Sequence, residues 1–172
     1  MNKNINKKLI ITTITILLCT TMLASLTPQT IAQTTDANQP TTPTLGTIAY
    51  ANRVIKTTGI VIGPQYILGP FDGYCAFLYG PASITVQMNT YVCSGSTMVI
   101  SAAVEKNICD KCIMEVYVSN NSNSGMTCIG SKTVTSQYLQ DFSFGGVPGF
   151  EYVTIALISY PAGLYVDGII TY

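Results

Sequence analysis

The residues whose type best suits them to do chemistry are the cysteines Cys75, Cys93, Cys109, Cys112 and Cys128. The tightest pair is Cys109-Asp110-Lys111-Cys112, and this spacing serves two chemistries. A dithiol redox couple needs a helix N-terminus after a strand to lower the thiol pKa, and a four-cysteine metal site needs a second close pair. The pair here lies between strand-like runs, and the other cysteines are single and far apart. What remains is oxidation to structural disulfides. Each cysteine lies in or at the end of a β-type run, where Cβ atoms can approach to the roughly 3.5–4.5 Å that a bridge requires. The sixth, Cys19, falls in the N-terminal apolar segment read below as a signal; the five that remain, an odd number, leave one thiol free or paired with another chain, and the sequence does not fix the connectivity.

Histidine is absent from the chain, which removes Ser-His-Asp and Cys-His nucleophiles and every His-ligated metal site. Neither a GxxxxGK[ST] loop nor a GxGxxG between strand and helix occurs. Two-carboxylate hydrolysis would have to draw on Asp141, Glu151 and Asp167, which read instead as acids on solvated strand edges. The sequence therefore predicts a protein that is not an enzyme, with no cofactor and no metal. The eleven tyrosines could furnish a sugar-binding surface, but tyrosine is also the residue a sheet uses where it is half buried and half wet, and they are read that way here. Asn120-Asn121-Ser122 is an N-glycosylation acceptor on a polar loop, making Asn120 the candidate modification site.

The elements that must position these groups are strands. In Ile84 to Cys93, Ile84, Val86, Met88 and Val92 alternate with polar residues, the period-2 pattern of a ribbon with one buried face. Thr97 to Glu105 and Ile113 to Val118 follow, then a Thr/Ser-rich run to about Thr135, then Tyr138 to Phe144. Phe150 to Tyr160 is apolar on both faces and reads as a central strand; Pro161-Ala162-Gly163 turns it into Leu164 to Tyr172. Upstream, Thr47 to Ile55, Thr57 to Gly63 and Tyr74 to Tyr79 are β-type runs punctuated by Gly-Pro turns. Short strands at this spacing, with no 3.6-residue period beyond the N-terminal segment, predict an all-β fold, an antiparallel Ig-like sandwich of about 8–10 strands stapled by disulfides.

Ahead of these strands, Lys3, Lys7 and Lys8 precede an apolar run from Leu9 to about Leu26, and small residues at Thr30 and Ala32 precede Gln33. Residues 1–32 thus read as a cleaved secretory signal peptide; retention as an anchor is the alternative, the apolar run of about 18 residues being near the lower limit for spanning a bilayer. Residues 33–46 form a Thr/Pro-rich linker, and 47–172 one sandwich domain. The basic residues from Gln33 onward are Arg53, Lys56, Lys106, Lys111 and Lys132, against all eight acids, and no basic patch exists for nucleic acid. Charged residues are only 9% of the chain, a surface with little colloidal repulsion that favours association.

This plan, a signal, a Thr/Pro leader, a β-prone arm and a weakly charged β domain, resembles crenarchaeal surface proteins, in particular the subunits of archaeal thread-type filaments. It resembles less specifically the sulfolobicins, secreted antimicrobial proteins of the same organisms. The filament resemblance implies a secreted, non-enzymatic structural subunit whose arm, residues 47–63, completes a neighbour's sandwich, with Ile48, Tyr50, Val54, Ile60 and Ile62 as the donated apolar residues. The second resemblance implies an antimicrobial or membrane-active protein. The expected partner is a second copy or another surface protein, with membrane contact under the second reading.

Overall fold

The computed structural model describes residues 48–172; the signal segment and linker expectations lie outside the described residues. Eight strands run in chain order: β1 (Ala49–Ile62), β2 (Ala76–Val92), β3 (Met98–Val104), β4 (Cys112–Ser119), β5 (Thr127–Val134), β6 (Gln140–Phe144), β7 (Phe150–Leu157) and β8 (Gly163–Thr171). All pairings between named strands are antiparallel, in the order β5-β4-β7-β2-β1-β8-β3-β6. The fold is the expected all-β antiparallel sandwich.

One hydrogen-bonded sheet makes both layers because β2 belongs to each in turn. Ala76 to Tyr79 pair with Val166 to Gly163 of β8, and Ala82 to Gln87 pair with Leu157 to Tyr152 of β7. The start of β1 makes a second junction, Ala49 opposite Thr171 and Tyr50 opposite Ile170. At the far edges the Lys132 ammonium of β5 lies 5.2 Å from the centre of the Phe144 ring of β6, so the sandwich is close to a barrel.

The two runs expected at Tyr74–Tyr79 and Ile84–Cys93 are one strand. Ala76, Leu78, Ala82, Ile84, Val86 and Met88 are all buried, so the even-numbered face stays inward through Gly80-Pro81 and the period-2 phase never breaks. β1 also joins two expected runs, but its phase slips at three bulges, between Ala51 and Arg53, Val54 and Lys56, and Thr58 and Ile60. At the third bulge Gly59 has φ +73°, and a Cβ there would sit 2.4 Å from the Pro81 carbonyl oxygen, so glycine is needed both for the turn of the chain and for the close approach.

β7 lies between β4 and β2 as expected of a central strand. Burial on both faces was expected and is only partly found: Val153, Ile155 and Leu157 enter the core, whereas Tyr152 and Ala156 on the outer face are half-buried. The one buried polar residue of that outer row, Thr154, pairs its hydroxyl with that of Thr85 at 2.8 Å, satisfying both.

The arm expected to leave for a neighbour pairs at home. Nine residues of β1 face β2 and two face β8. Val54 and Val61 pack against this domain's own core, Tyr50 is half-buried, and Ile48, Ile60 and Ile62 are exposed.

Candidate functional site

Against the outward-facing side of β3 and β8 lies an open cleft of about 480 Å3. Its walls come from four separate places in the chain: Tyr66 in the short 3-10 turn Pro64–Ile67, Tyr74 and Cys75 in the segment leading into β2, Ala103 and Tyr165 on β3 and β8, and Gln137 and Leu139 between β5 and β6. Ala103 and Tyr165 are register partners and so point to the same face, a small residue for the floor beside a ring for the wall.

Each wall is fastened. Gly63 (φ +61°) caps the 3-10 turn, and its missing side chain lets the Tyr66 ring lie against the backbone: a Cβ there would be 2.5 Å from the ring. The next segment is held by Asp167, a buried side chain of β8 whose Oδ1 accepts the N–H groups of Asp72 and Gly73, each at 3.2 Å. Asp72 in turn accepts the Tyr74 N–H at 2.9 Å, an Asx turn. The outcome is that Tyr66 and Tyr74 stack, ring centres 5.9 Å apart and planes 29° from parallel, while both stay open to solvent. The opposite wall is tied to β3 where Val104 N–H donates to Ser136 at 2.7 Å. Tyr138, between two lining residues, is 73% exposed.

The electrostatics around the cleft are acidic. Tyr165 donates its hydroxyl to Glu105 Oε2 at 2.6 Å, and Asn107 donates to Oε1 through both its N–H and its side-chain amide. These bonds hold the Glu105 carboxyl below its ordinary pKa, and the same bond to Glu105 raises the Tyr165 hydroxyl. Burial pushes Asp167 up despite the two N–H donors that oppose it. The Cys75 thiol is raised by burial and then by the charges of Asp167 and Asp72. None of the lining residues is a lysine or arginine. The cleft thus presents stacked rings and an amide, with the Glu105 carboxylate behind the Tyr165 hydroxyl and no nucleophile–base pair among the lining residues.

Of the residues singled out from the sequence, only Cys75 and Asp167 belong to this place. The expected disulfides are not formed: all five cysteines among the described residues are free thiols. The reason is register. Cys112 faces Val134 and Cys128 faces Tyr117, while the length of β2 separates Cys75 from Cys93. Cys109 stands near Cys112, but at the end of a turn closed by its N–H on the Glu105 carbonyl. Burial, then the neighbouring Cys109, pushes Cys112 up to about 12. Because the thiolate is the attacking form, iodoacetamide at pH 8 should label exposed Cys128 first and Cys112 last, read by mass spectrometry of peptides. Equal rates at the two would contradict the structure. Asn120 is exposed beyond β4, its amide reaching the Gly149 carbonyl at 3.4 Å. Asp141 is exposed on edge strand β6 and Glu151 half-exposed on β7, and the carboxylate that acts on Asp167 is that of Asp72. Among the described residues no group of three His, Cys, Asp or Glu could hold a metal ion, and no helix is long and apolar enough to cross a membrane.

No protein-family model matches the sequence, and no curated protein matches it. Solved structures resemble the fold. The family 32 carbohydrate-binding module of AlyQ, in complex with 4,5-unsaturated mannuronic acid, superposes with a TM-score of 0.50 at 14% identity, covering 71% of this chain and 97% of that one. The K2 cleaved adhesin domain of Lys-gingipain gives 0.51 at 10% identity, covering 68% and 88%. The family 32 module of C. perfringens NanJ, in complex with galactose, gives 0.50 at 13% identity, covering 67% and 92%. At these identities the likeness is one of fold.

Proposed function

We propose that residues 48–172 are a non-enzymatic carbohydrate-binding domain of a secreted or surface-attached protein, and that its ligand is a neutral sugar held in the Tyr66–Tyr74–Tyr165 cleft. The observation that carries this reading is the stacked, solvent-open pair Tyr66 and Tyr74 on a cleft that also offers Gln137 and the Tyr165 ring, whose hydroxyl is held by Glu105. A sugar ring has an apolar face of C–H groups and a polar edge; flat rings bury the first, and amides and carboxylates accept hydrogen bonds from the second. No lysine or arginine lines the cleft to pair with a uronate, and Glu105 stands behind its Tyr165 wall, so an uncharged sugar suits it better. The names of the fold relatives, two carbohydrate-binding modules and an adhesin domain, agree with a surface-binding role.

A filament subunit assembled through β1, the expectation raised by the plan of the chain, fits the geometry less well. β1 is bulged three times along its pairing with β2 and exposes Arg53 and Lys56, and bulges and charges are devices that oppose addition of another strand. The antimicrobial expectation rests on the plan of the chain alone. Affinity electrophoresis of the purified chain through gels containing neutral and acidic polysaccharides separates the readings. Retardation by a neutral polysaccharide, reduced about ten-fold in Tyr74→Ala with the melting temperature unchanged, is the expected result. Unretarded migration in every gel, with filaments in micrographs or inhibited growth of a related strain, would replace the carbohydrate reading.

A further inference from the structure

The aromatic surface does not end at the cleft. Phe77 is the register partner of Tyr165, and their rings are 4.9 Å apart, so the cleft wall continues onto β2. Two residues further along β2, about 7 Å at a rise of roughly 3.3 Å per residue, Tyr79 faces the same side. It meets Tyr160 of the β7–β8 connection edge-on, ring centres 6.1 Å apart, and Tyr160 is 72% exposed. Tyr79 is the register partner of Gly163, which has no side chain to stand between the two rows; the Phe77 ring lies over it, 2.9 Å from where a Cβ would be. On the β1 side the same two rows end in Ile62, opposite Phe77, and Ile60, opposite Tyr79, both more than half exposed. Three aromatic pairs, Tyr66 with Tyr74, Phe77 with Tyr165 and Tyr79 with Tyr160, therefore follow one another over one face.

We infer that the ligand is a linear chain of several neutral sugar units, with Tyr79 and Tyr160 forming a second binding position beyond the cleft. This rests on the carbohydrate reading. A single terminal sugar would use one stacked pair and would leave the other rings exposed at no benefit to binding. A chain covers successive pairs, and each further ring it covers removes aromatic surface from water while its hydroxyls stay wet. The strip's edge-on pair and its flanking isoleucines suit the apolar faces of such a chain. Continuity through Phe77 and Gly163 is what joins this strip to the cleft rather than to a separate partner.

The experiment is calorimetric titration of the purified full chain with glucose, galactose and mannose and with the linear hexasaccharide of each. One hexasaccharide should bind at least about ten-fold more tightly than its monosaccharide, and Tyr160→Ala, at an exposed position, should remove most of that gain while leaving the monosaccharide affinity as it was. Tyr79→Phe, which keeps the ring, should retain the gain, and its behaviour separates a loss of stacking from a loss of folding. A hexasaccharide no tighter than its monosaccharide, or a Tyr160→Ala variant that keeps the full gain, overturns the inference and leaves the cleft as a site for a single sugar. Failure of every sugar to bind the unaltered chain overturns both.

Discussion

Phe150→Ala is expected to lower the free energy of unfolding by about 3–5 kcal/mol, the range found when a buried aromatic ring is replaced by a methyl group. Phe150 opens β7 opposite Val92, where the long strand β2 ends, and its side chain is wholly enclosed. From Tyr152 to Leu157, β7 is paired with β2 on one side and β4 on the other, which leaves the backbone next to the ring little freedom to close the space it would vacate. For a domain whose total stability is of the order of 5–15 kcal/mol, the loss is a large share. Urea denaturation followed by tyrosine fluorescence measures it. Phe150→Leu, which keeps most of the volume, should cost much less, and equal losses in the two variants would show that the site is not tightly packed.

The second large effect is expected at Asp167. Replacing it with alanine leaves the Asp72 and Gly73 N–H groups without their acceptor, and should cost about 1–3 kcal/mol together with most of the sugar affinity, since the same segment carries Tyr74. Asp167→Asn should behave in the opposite way at neutral pH. Burial raises the folded-state pKa above the ordinary 3.8, so between the two values the folded protein binds the proton more readily than the unfolded chain does. The contribution of this group to stability is therefore present at low pH and is lost as pH rises through the folded value. Asparagine keeps an oxygen in the place of Oδ1 and carries no charge, so this variant should match or exceed the unaltered chain at pH 7, with its advantage vanishing on acidification. An Asn variant as damaged as the Ala variant would mean that the negative charge itself holds the segment.

How far the fold could be read in advance varies with the strand. β2 is visible because its buried residues keep period 2, which a sheet enforces wherever one face is dry, and β7 because its run is apolar on both faces. β1 read as two runs because bulges shift the phase, and a bulge depends on what the facing strand does, here on Pro81 meeting Gly59. The cysteines misled because counting them says nothing of register; a shift of pairing alone decides whether Cys128 faces another sulfur or Tyr117. The tyrosines of the cleft left no local trace. Tyr66, Tyr74 and Tyr165 share no period, and they converge only because Asp167 captures backbone donors nearly a hundred residues upstream. The chain offered one hint, an abundance of tyrosine without tryptophan, and abundance does not say which rings are left uncovered.

The pairing of Ala49 with Thr171 sets the entry and the exit of the described chain side by side, about 5 Å apart if the ladder is regular. The backbone is thus almost a ring. A short linker could close it, and new ends could be opened at the polar hairpin tip around Asn121–Ser124, which contributes nothing to the cleft. For the same reason the domain could be set into a surface loop of a host protein without spreading that loop apart, presenting its aromatic face as a graft.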